Sequence, residues 1–335
     1  MRASVLIPCR NERNAIESCL RNVYTFAPPE KGYEVIVIDG MSDDGTRDTL
    51  LRFKGEFNDL IVVDNHNKTV PHAMNLGIQR AKGEYIVRTD VRCVHPKSYL
   101  IDLIALSEET GADNVGGVLE PIGTSYFQKG IAASYQSLIS MGGALRQRDS
   151  FVGETDAVYG GCFKRKRLLE IGMYDENMVR NQDDELSFRL RKDGGKIIQS
   201  TKIKVSYYPR SNLKQLYKQF SQYGFWKVSV ISKHPQQASI RHIAPMIFVL
   251  SILSLGFASF FNAYALWGFL LLFGCYSSLV CLESARVSIN TEKKLFPAIV
   301  SSITTIHVSF GIGFIMGLFC RLFKNTPKLF QTLSR

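Results

Sequence analysis

Forty consecutive residues, Ile243–Leu282, carry no charged side chain. An extended uncharged run of that length cannot clothe a water-soluble surface, and it is roughly twice the ~20 residues that one helix needs to cross a bilayer. The charge is distributed accordingly. Residues 1–242 hold 34 Lys/Arg and 28 Asp/Glu, whereas residues 243–335 hold seven and two. The total of 335 residues suits two units. A chain that is 45% hydrophobic and 21% charged is neither disordered nor collagen-like. The sequence therefore reads as a water-soluble domain over residues 1–210 and a basic amphipathic seam over 211–242. A membrane domain over 243–335 follows, with apolar segments at about 243–261, 263–282 and 297–320.

An apolar strand-like run begins almost at Met1, so a cleaved signal peptide is not expected. The seven cysteines form neither a CxxC nor a paired framework, which argues for reduced thiols in a cytosol and against zinc. The net charge of +11 invites a nucleic-acid reading, but no nucleic-acid motif accompanies it. Between Ser200 and His242 lie Lys202, Lys204, Arg210, Lys214, Lys218, Lys227, Lys233 and Arg241 without a single acid, running directly into the first apolar segment. A basic belt beside a membrane is attracted to anionic lipid by about 1 kcal/mol per residue. The plainer alternative is a solvated basic face. The third apolar segment poses a topological conflict: a full crossing would carry Arg321, Lys324, Lys328 and Arg335 outside, against the positive-inside tendency. It reads equally as a re-entrant or interfacial segment.

The first part of the chain alternates strand and helix signals. Strands are predicted at Ala3–Ile7, Glu34–Ile38, Leu60–Asp64 and Gly83–Thr89, and helices at Asn14–Phe26, from Thr46 through Phe53, and at Val70–Lys82. Such alternation implies a parallel sheet with helices on both faces, an α/β fold that binds ligands outside the carboxyl ends of its strands. Helices are also expected at Tyr99–Thr110, near Phe127–Leu138, at Asp184–Lys192 and at Asn212–Lys233. Asp39, Asp43-Asp44, Asp90 and Asp183-Asp184-Glu185 all fall at strand ends or helix starts. A carboxylate-lined crevice over a parallel sheet suits a metal-bound diphosphate and a ribose. Taken singly, each of these acids is better explained as a turn or cap residue.

In order, however, they resemble glycosyltransferase family 2. The runs SVLIPCRNERNAIESCL, EVIVIDGMSDDGT, AMNLGIQRAKGEYIVRTD and VRNQDDELSFRLRKDGGKI carry the resemblance. It extends to the membrane-attached exopolysaccharide glucosyltransferases of the succinoglycan type through NQDDEL, Gln219–Trp226 and the following entry into apolar helices. The resemblance implies an inverting enzyme of GT-A fold, Rossmann-like with a mixed, mainly parallel sheet, followed by C-terminal membrane helices. Pro8, Asn11, Glu12 and Asp39 would hold the nucleoside. Asp90 would be the first aspartate of a DxD motif, near the ribose and a divalent Mn or Mg ion. Asp183 would be the general base. Gly161, Asp184, Gln219 and Trp226 would lie on the acceptor side, although a plain turn explains Gly161 and an interfacial aromatic belt explains Tyr223 and Trp226 as well.

The sequence departs from the family pattern twice. Gly40 replaces a second aspartate after Asp39, and Arg92 occupies the third DxD position. A guanidinium has no lone pair for a cation but can pair bidentately with phosphate. Metal binding would then rest on Asp90, with His95 as a further candidate, or Arg92 would partly replace the metal. The implied function is transfer of a hexose from a nucleotide-sugar, UDP-linked by resemblance, to a polyprenyl-diphosphate-linked oligosaccharide in exopolysaccharide or cell-surface glycan assembly. The implied setting is multi-pass in the inner (plasma) membrane with the catalytic domain in the cytoplasm. Membrane lipids and a polysaccharide assembly complex are the expected partners. The alternative kept open by Arg92 is a non-catalytic sugar-nucleotide-binding or scaffold subunit. A processive synthase with its own export pore is disfavoured, because three apolar segments with such short connections supply little material for a channel.

Overall fold

The run Ala3–Cys9 forms strand β1 and is buried everywhere except at Pro8, as a strand covered on both faces requires. Its residues part alternately into two cores. Val5 and Ile7 join Val35 and Val37 on one side, while Leu6 joins Ile36 and Ile38 on the other. β2 (Tyr33–Asp39) pairs parallel to β1, β3 (Ile61–Asp64) parallel to β2, and β4 (Tyr85–Arg88) parallel to the far edge of β1. The register places Cys9 beside Asp39 and Asp39 beside Asp64, so the carboxyl ends of three strands lie level. Helices α1 (Ile16–Val23), α2 (Thr46–Glu56) and α4 (Tyr99–Thr110) supply Leu20, Phe53 and Leu103 to the first core. Helices α3 (Val70–Arg80), α6 (Arg165–Glu170) and α7 (Gln182–Lys192) supply Met74, Leu168 and Leu186 to the second.

The computed structural model describes residues 1–140, 150–323, Pro327 and Phe330. They fall into two compact units, one of Met1–Glu120 with Arg148–Tyr207 and one of Pro121–Gln147 with Tyr208–Arg335. The second unit thus takes in Pro121–Gln147, a segment that sequence reading places inside the first 210 residues. In the first unit the parallel strands continue into an extension without a clear sequence signature. β8 (Cys162–Lys164) pairs antiparallel to β4 and to β6 (Asn114–Pro121), while β5 (Cys93–Val94) and β7 (Val152–Glu154) pair antiparallel to β9 (Ile197–Tyr207). The complete order is β3-β2-β1-β4-β8-β6-β9-β5, with β7 on β9. β6 was missed because two glycines interrupt it. A Cβ at Gly117 would come within 2.2 Å of the Ile203 carbonyl oxygen, so close backbone approach, not β-propensity, selects the residue.

The second unit is helical: α5 (Tyr126–Ser134), α8 (Leu213–Lys233), α9 (Ile240–Ala258), α10 (Ala263–Asn290) and α11 (Phe296–Leu322). Asn262 makes the tight turn before α10 by accepting a hydrogen bond from the Tyr264 N–H at 2.8 Å. α9, α10 and the segment Lys293–Leu322 are each long and apolar enough to cross a membrane. They differ in cover: 6% of the most apolar stretch of α9 and of α10 is buried, against 39% of the third. The glycines of α11 explain its cover. Gly313 lies against Ser221 of α8, Gly317 against Phe225 of α8, and Gly311 against Pro245 of α9, each close enough that a Cβ would meet backbone. This is the close-packing use of small residues in apolar helices.

α8 corrects the reading of the basic seam and of the aromatic belt. Lys227 is buried, and on β9 Lys204 pairs with Glu120 at 2.8 Å, so the positive run is neither continuous at the surface nor unopposed by acid. Trp226 is buried as well, its indole N–H donating to the Phe330 carbonyl at 3.0 Å.

Candidate active site

Two loops at the carboxyl ends of β1 and β2 are knitted together by side chains accepting backbone N–H groups. The Asn11 N–H donates to Ser42 Oγ at 2.8 Å, the Glu12 N–H to Thr46 Oγ1 at 2.8 Å, and the Arg13 N–H to Asp44 Oδ2 at 3.1 Å. In return the Asp43 N–H donates to Asn11 Oδ1 at 2.9 Å, and Asn11 Nδ2 to Asp43 at 2.8 Å. The Asp, Ser and Thr residues of the second loop are therefore turn and cap residues, as their types favour. They also shape the crevice. Asn11 and Met41 sit in the left-handed region, at φ 51° and 54°, strained positions for side-chain-bearing residues. Asp39 has no exposed surface and accepts from Ser42 through both backbone and hydroxyl and from Arg47 at 2.7 Å. Its carboxylate orders the loop through these hydrogen bonds. Pro8, partly buried, is the penultimate residue of β1.

The second half of the crevice lies beyond β4. Arg88, the last residue of that strand, is buried and forked: Nε and Nη2 reach the two oxygens of Asp90 at 3.0 and 3.4 Å, and Nη1 reaches Asp183 Oδ1 at 2.6 Å. Tyr159 donates its hydroxyl to Asp90 Oδ2 at 3.0 Å. Asp183 stands in the first turn of α7, after Asn181, another left-handed residue at φ 58°. Two carboxylates far apart in sequence thus share one guanidinium. Burial would raise both carboxyl pKa values, yet they diverge. For Asp90, burial is overcome by the Arg88 charge and the hydrogen bonds of Arg88 and Tyr159, and its pKa falls below the ordinary value. For Asp183, burial prevails over Arg88 and is reinforced by repulsion from Asp90 and Asp184, so its pKa rises. Glu185 takes no part, because it is turned to Arg189 in a bidentate pair at 2.8–3.0 Å. Asp184, its neighbour, stays partly exposed.

Arg92 closes on Glu12 at 3.1 Å, tying the loop after β4 to the loop after β1. His95 packs its ring against Phe26 and Tyr99, at centroid distances of 6.0 and 4.5 Å, and neither ring nitrogen has a hydrogen-bond partner among the described residues. Burial lowers its pKa to about 4. Gly160 and Gly161 form a left-handed pair at φ 66° and 79°, and the Gly161 carbonyl accepts the Arg88 N–H at 3.2 Å. Gly161 thus supports the backbone of the arginine. Gln219 and Trp226 belong to the helical unit, where Gln219 bonds Arg210 at 3.3 Å and Tyr223 at 3.0 Å. Sequence reading missed Arg88 and Tyr159. Arg88 was legible in principle, since a charged residue ending an otherwise apolar buried run (YIVR) needs a partner. Tyr159 lies in a segment with no period at all.

The residues can be asked whether they suit a divalent cation. Among the described residues no three His, Cys, Asp or Glu side chains gather into a protein-only site. A hard cation on a diphosphate needs only one or two carboxylates, the substrate oxygens and water supplying the rest. Asp90 can be such a ligand, because three hydrogen bonds leave part of its lone-pair capacity open. Arg92 cannot, and the buried ring of His95 points to packing.

A sheet with parallel order 3-2-1-4, polar loops knitted across its carboxyl ends and two partly exposed acids sharing a buried arginine beyond the fourth strand is the architecture of a GT-A-type domain. The chain belongs to glycosyl transferase family 2, whose family model matches residues 4–172. The succinoglycan biosynthesis protein ExoA of Rhizobium meliloti (strain 1021) is 30% identical over 245 residues, covering 72% of this chain and 74% of that protein. A second relative, from Methanococcus voltae, is 26% identical over 324 residues, covering 94% of this chain and 96% of its own. That protein is called dolichyl N-acetyl-alpha-D-glucosaminyl phosphate 3-beta-D-2,3-diacetamido-2,3-dideoxy-beta-D-glucuronosyltransferase. Among solved structures, the mannosyltransferase PcManGT from Pyrobaculum calidifontis, in complex with GDP-Man and Mn2+, shares the fold. Its TM-score is 0.64 at 18% identity, over 95% of this chain and 87% of that one. The protein is thus a family 2 glycosyltransferase with three helices long and apolar enough to cross a membrane.

Proposed function

We propose that the enzyme moves a hexose, with inversion, from a UDP-linked donor to a hydroxyl of a polyprenyl-diphosphate-linked oligosaccharide at the cytoplasmic face of the plasma membrane. One observation carries the reading: Asp183 and Asp90 share the Arg88 guanidinium, and their pKa values are driven apart. Environments that separate two carboxylates in this way assign them different roles. Asp183, the more basic, takes the proton of the acceptor hydroxyl as its oxygen attacks the anomeric carbon. The bond to the diphosphate breaks on the opposite face. Asp90 stays ionised on the donor side. Asn11 and Glu12, in the loop after Pro8, face the nucleoside, with Asp39 holding that loop in shape.

Asp90 would hold a Mn or Mg ion, which when bound supplies neutralisation of the departing diphosphate. Arg92, on release from Glu12, pairs with a phosphate as a fork. The relative named for a dolichyl-phosphate-linked acceptor supports the lipid-linked class. Three apolar helices give the enzyme a reason to meet such an acceptor, since sharing one surface raises effective concentration. The test is a screen of UDP- and GDP-sugars against lipid-linked acceptors in membranes, read by product mass, with Asp183→Asn alongside. Transfer should fall on the order of 10²–10⁴-fold, with UDP binding unchanged. Turnover retained by the variant would overturn the base assignment.

A further inference from the structure

Arg88 is tightly held in the crevice. Its side chain is 9% exposed, its backbone N–H is held by the Gly161 carbonyl, and its register on β4 is set opposite Leu6 of β1. All three guanidinium nitrogens are engaged, two on Asp90 and one on Asp183. The residues it joins lie at sequence separations of 2 and 95. Asp183 Oδ1 is taken by the guanidinium, and the Asp183 side chain is 46% exposed. We infer that Arg88 is a positioning residue: its fork holds Asp183 by one oxygen at a set distance from Asp90, leaving the other oxygen aimed for the acceptor proton.

The reasoning is geometric. A carboxylate at a helix start has rotational freedom at its side chain, and a base misplaced by about 1 Å loses on the order of 10²-fold in rate. The Arg88 fork removes that freedom by anchoring Asp183 to a β-strand instead of to its own helix. Lysine keeps the charge but is a point donor and cannot span both carboxylates in fixed geometry. The inference rests on Asp183 being the base.

The experiment uses the full chain in detergent with nucleoside diphosphate release from UDP-glucose, UDP-N-acetylglucosamine and GDP-mannose, water standing in for the acceptor hydroxyl. It compares Arg88→Lys, Asp183→Asn and the double variant, with UDP binding by calorimetry and the thermal midpoint as controls. Arg88→Lys should lower kcat on the order of 10²-fold, while UDP affinity stays within a few-fold, because lysine keeps the positive charge beside Asp90, and the thermal midpoint holds. The double variant should be no slower than Asp183→Asn alone, because Arg88 acts through Asp183. A structural role would instead lower the midpoint and multiply with Asp183→Asn, and that result overturns the inference. So does unchanged kcat in Arg88→Lys. Arg88→Gln, which can bond one carboxylate but not both, is read in the same way, so the outcome does not hang on one variant folding. Full turnover in Asp183→Asn overturns the base reading itself, and is thereby distinguished from a failure confined to Arg88.

Discussion

The two units of this protein solve opposite problems of burial. The sheet unit hides charge: Arg88 and Glu185 are almost wholly covered, Asp39 is entirely so, and each has its partners. The helical unit shows apolar surface: Phe257, Trp267 and Leu271 of α9 and α10 are about 70% exposed. In water that display would be an aggregation hazard. In lipid it costs nothing. The contrast teaches that burial is meaningful only against the solvent a surface faces. Ion pairs and hydrogen bonds govern the first unit, and close contact between small residues governs the second.

That contrast can be broken most forcefully in α8 and α11. A Cβ at Gly224 would lie 2.1 Å from the Phe310 carbonyl oxygen, and one at Gly313 would lie 2.0 Å from that of Ser221. Gly224→Leu or Gly313→Leu should cost more than about 3 kcal/mol, seen as loss of protease resistance in the helical unit. Wild-type resistance would show that the two helices are not packed this tightly. The next effect belongs to the sheet unit alone. His95 has its pKa lowered by burial from 6.5 to about 4. The unfolded chain therefore binds this proton first, so stability is present above pH 6.5 and declines as pH falls toward 4. Between about pH 7 and about pH 5 the loss should be about 2 kcal/mol, and His95→Phe, matched to its aromatic neighbours, should remove it. Urea midpoints at the two pH values decide the matter.

Smaller again is Asn75→Ala. The Asn75 side chain accepts the Tyr174 N–H and donates to the Tyr174 carbonyl, both at 2.9 Å. Losing it should cost about 1–2 kcal/mol in thermal stability without changing UDP affinity. The smallest effect sharpens the comparison from the other side. Leu271→Ser on the exposed face of α10 should leave the fold within about 0.5 kcal/mol in detergent. It should nevertheless weaken retention in membranes on carbonate extraction. A large loss of stability in detergent would mean that this face is packed against protein.

Much of the site was legible from residue types at strand ends. Asn11, Glu12, Asp39 and Asp90 lie where the sequence placed them, in the loops after the parallel strands, because such a sheet gathers those loops at one edge, and Asp183 lies at a helix start. Their partners were another matter. Nothing in the spacing of Asp39 reveals that Ser42 and Arg47 occupy both its oxygens, and Tyr159 reaches Asp90 from a segment without periodicity. β6 stayed hidden for a similar reason, since Gly116 and Gly117 answer to neighbours brought in by β9 and the loop before β8.

What the sequence determined by itself was what local pattern sets: the strand and helix order through β4, the three apolar segments, and the acids at strand ends and helix starts. Hydrophobic period and charge-free length act over one element, so one element's residues suffice to read them. Only the tertiary structure decided which acids share a cation, which way their pKa values move, and that α11 is covered where α9 and α10 are bare. Those outcomes depend on distances between residues far apart in the chain, and electrostatics and packing respond to distance in space alone.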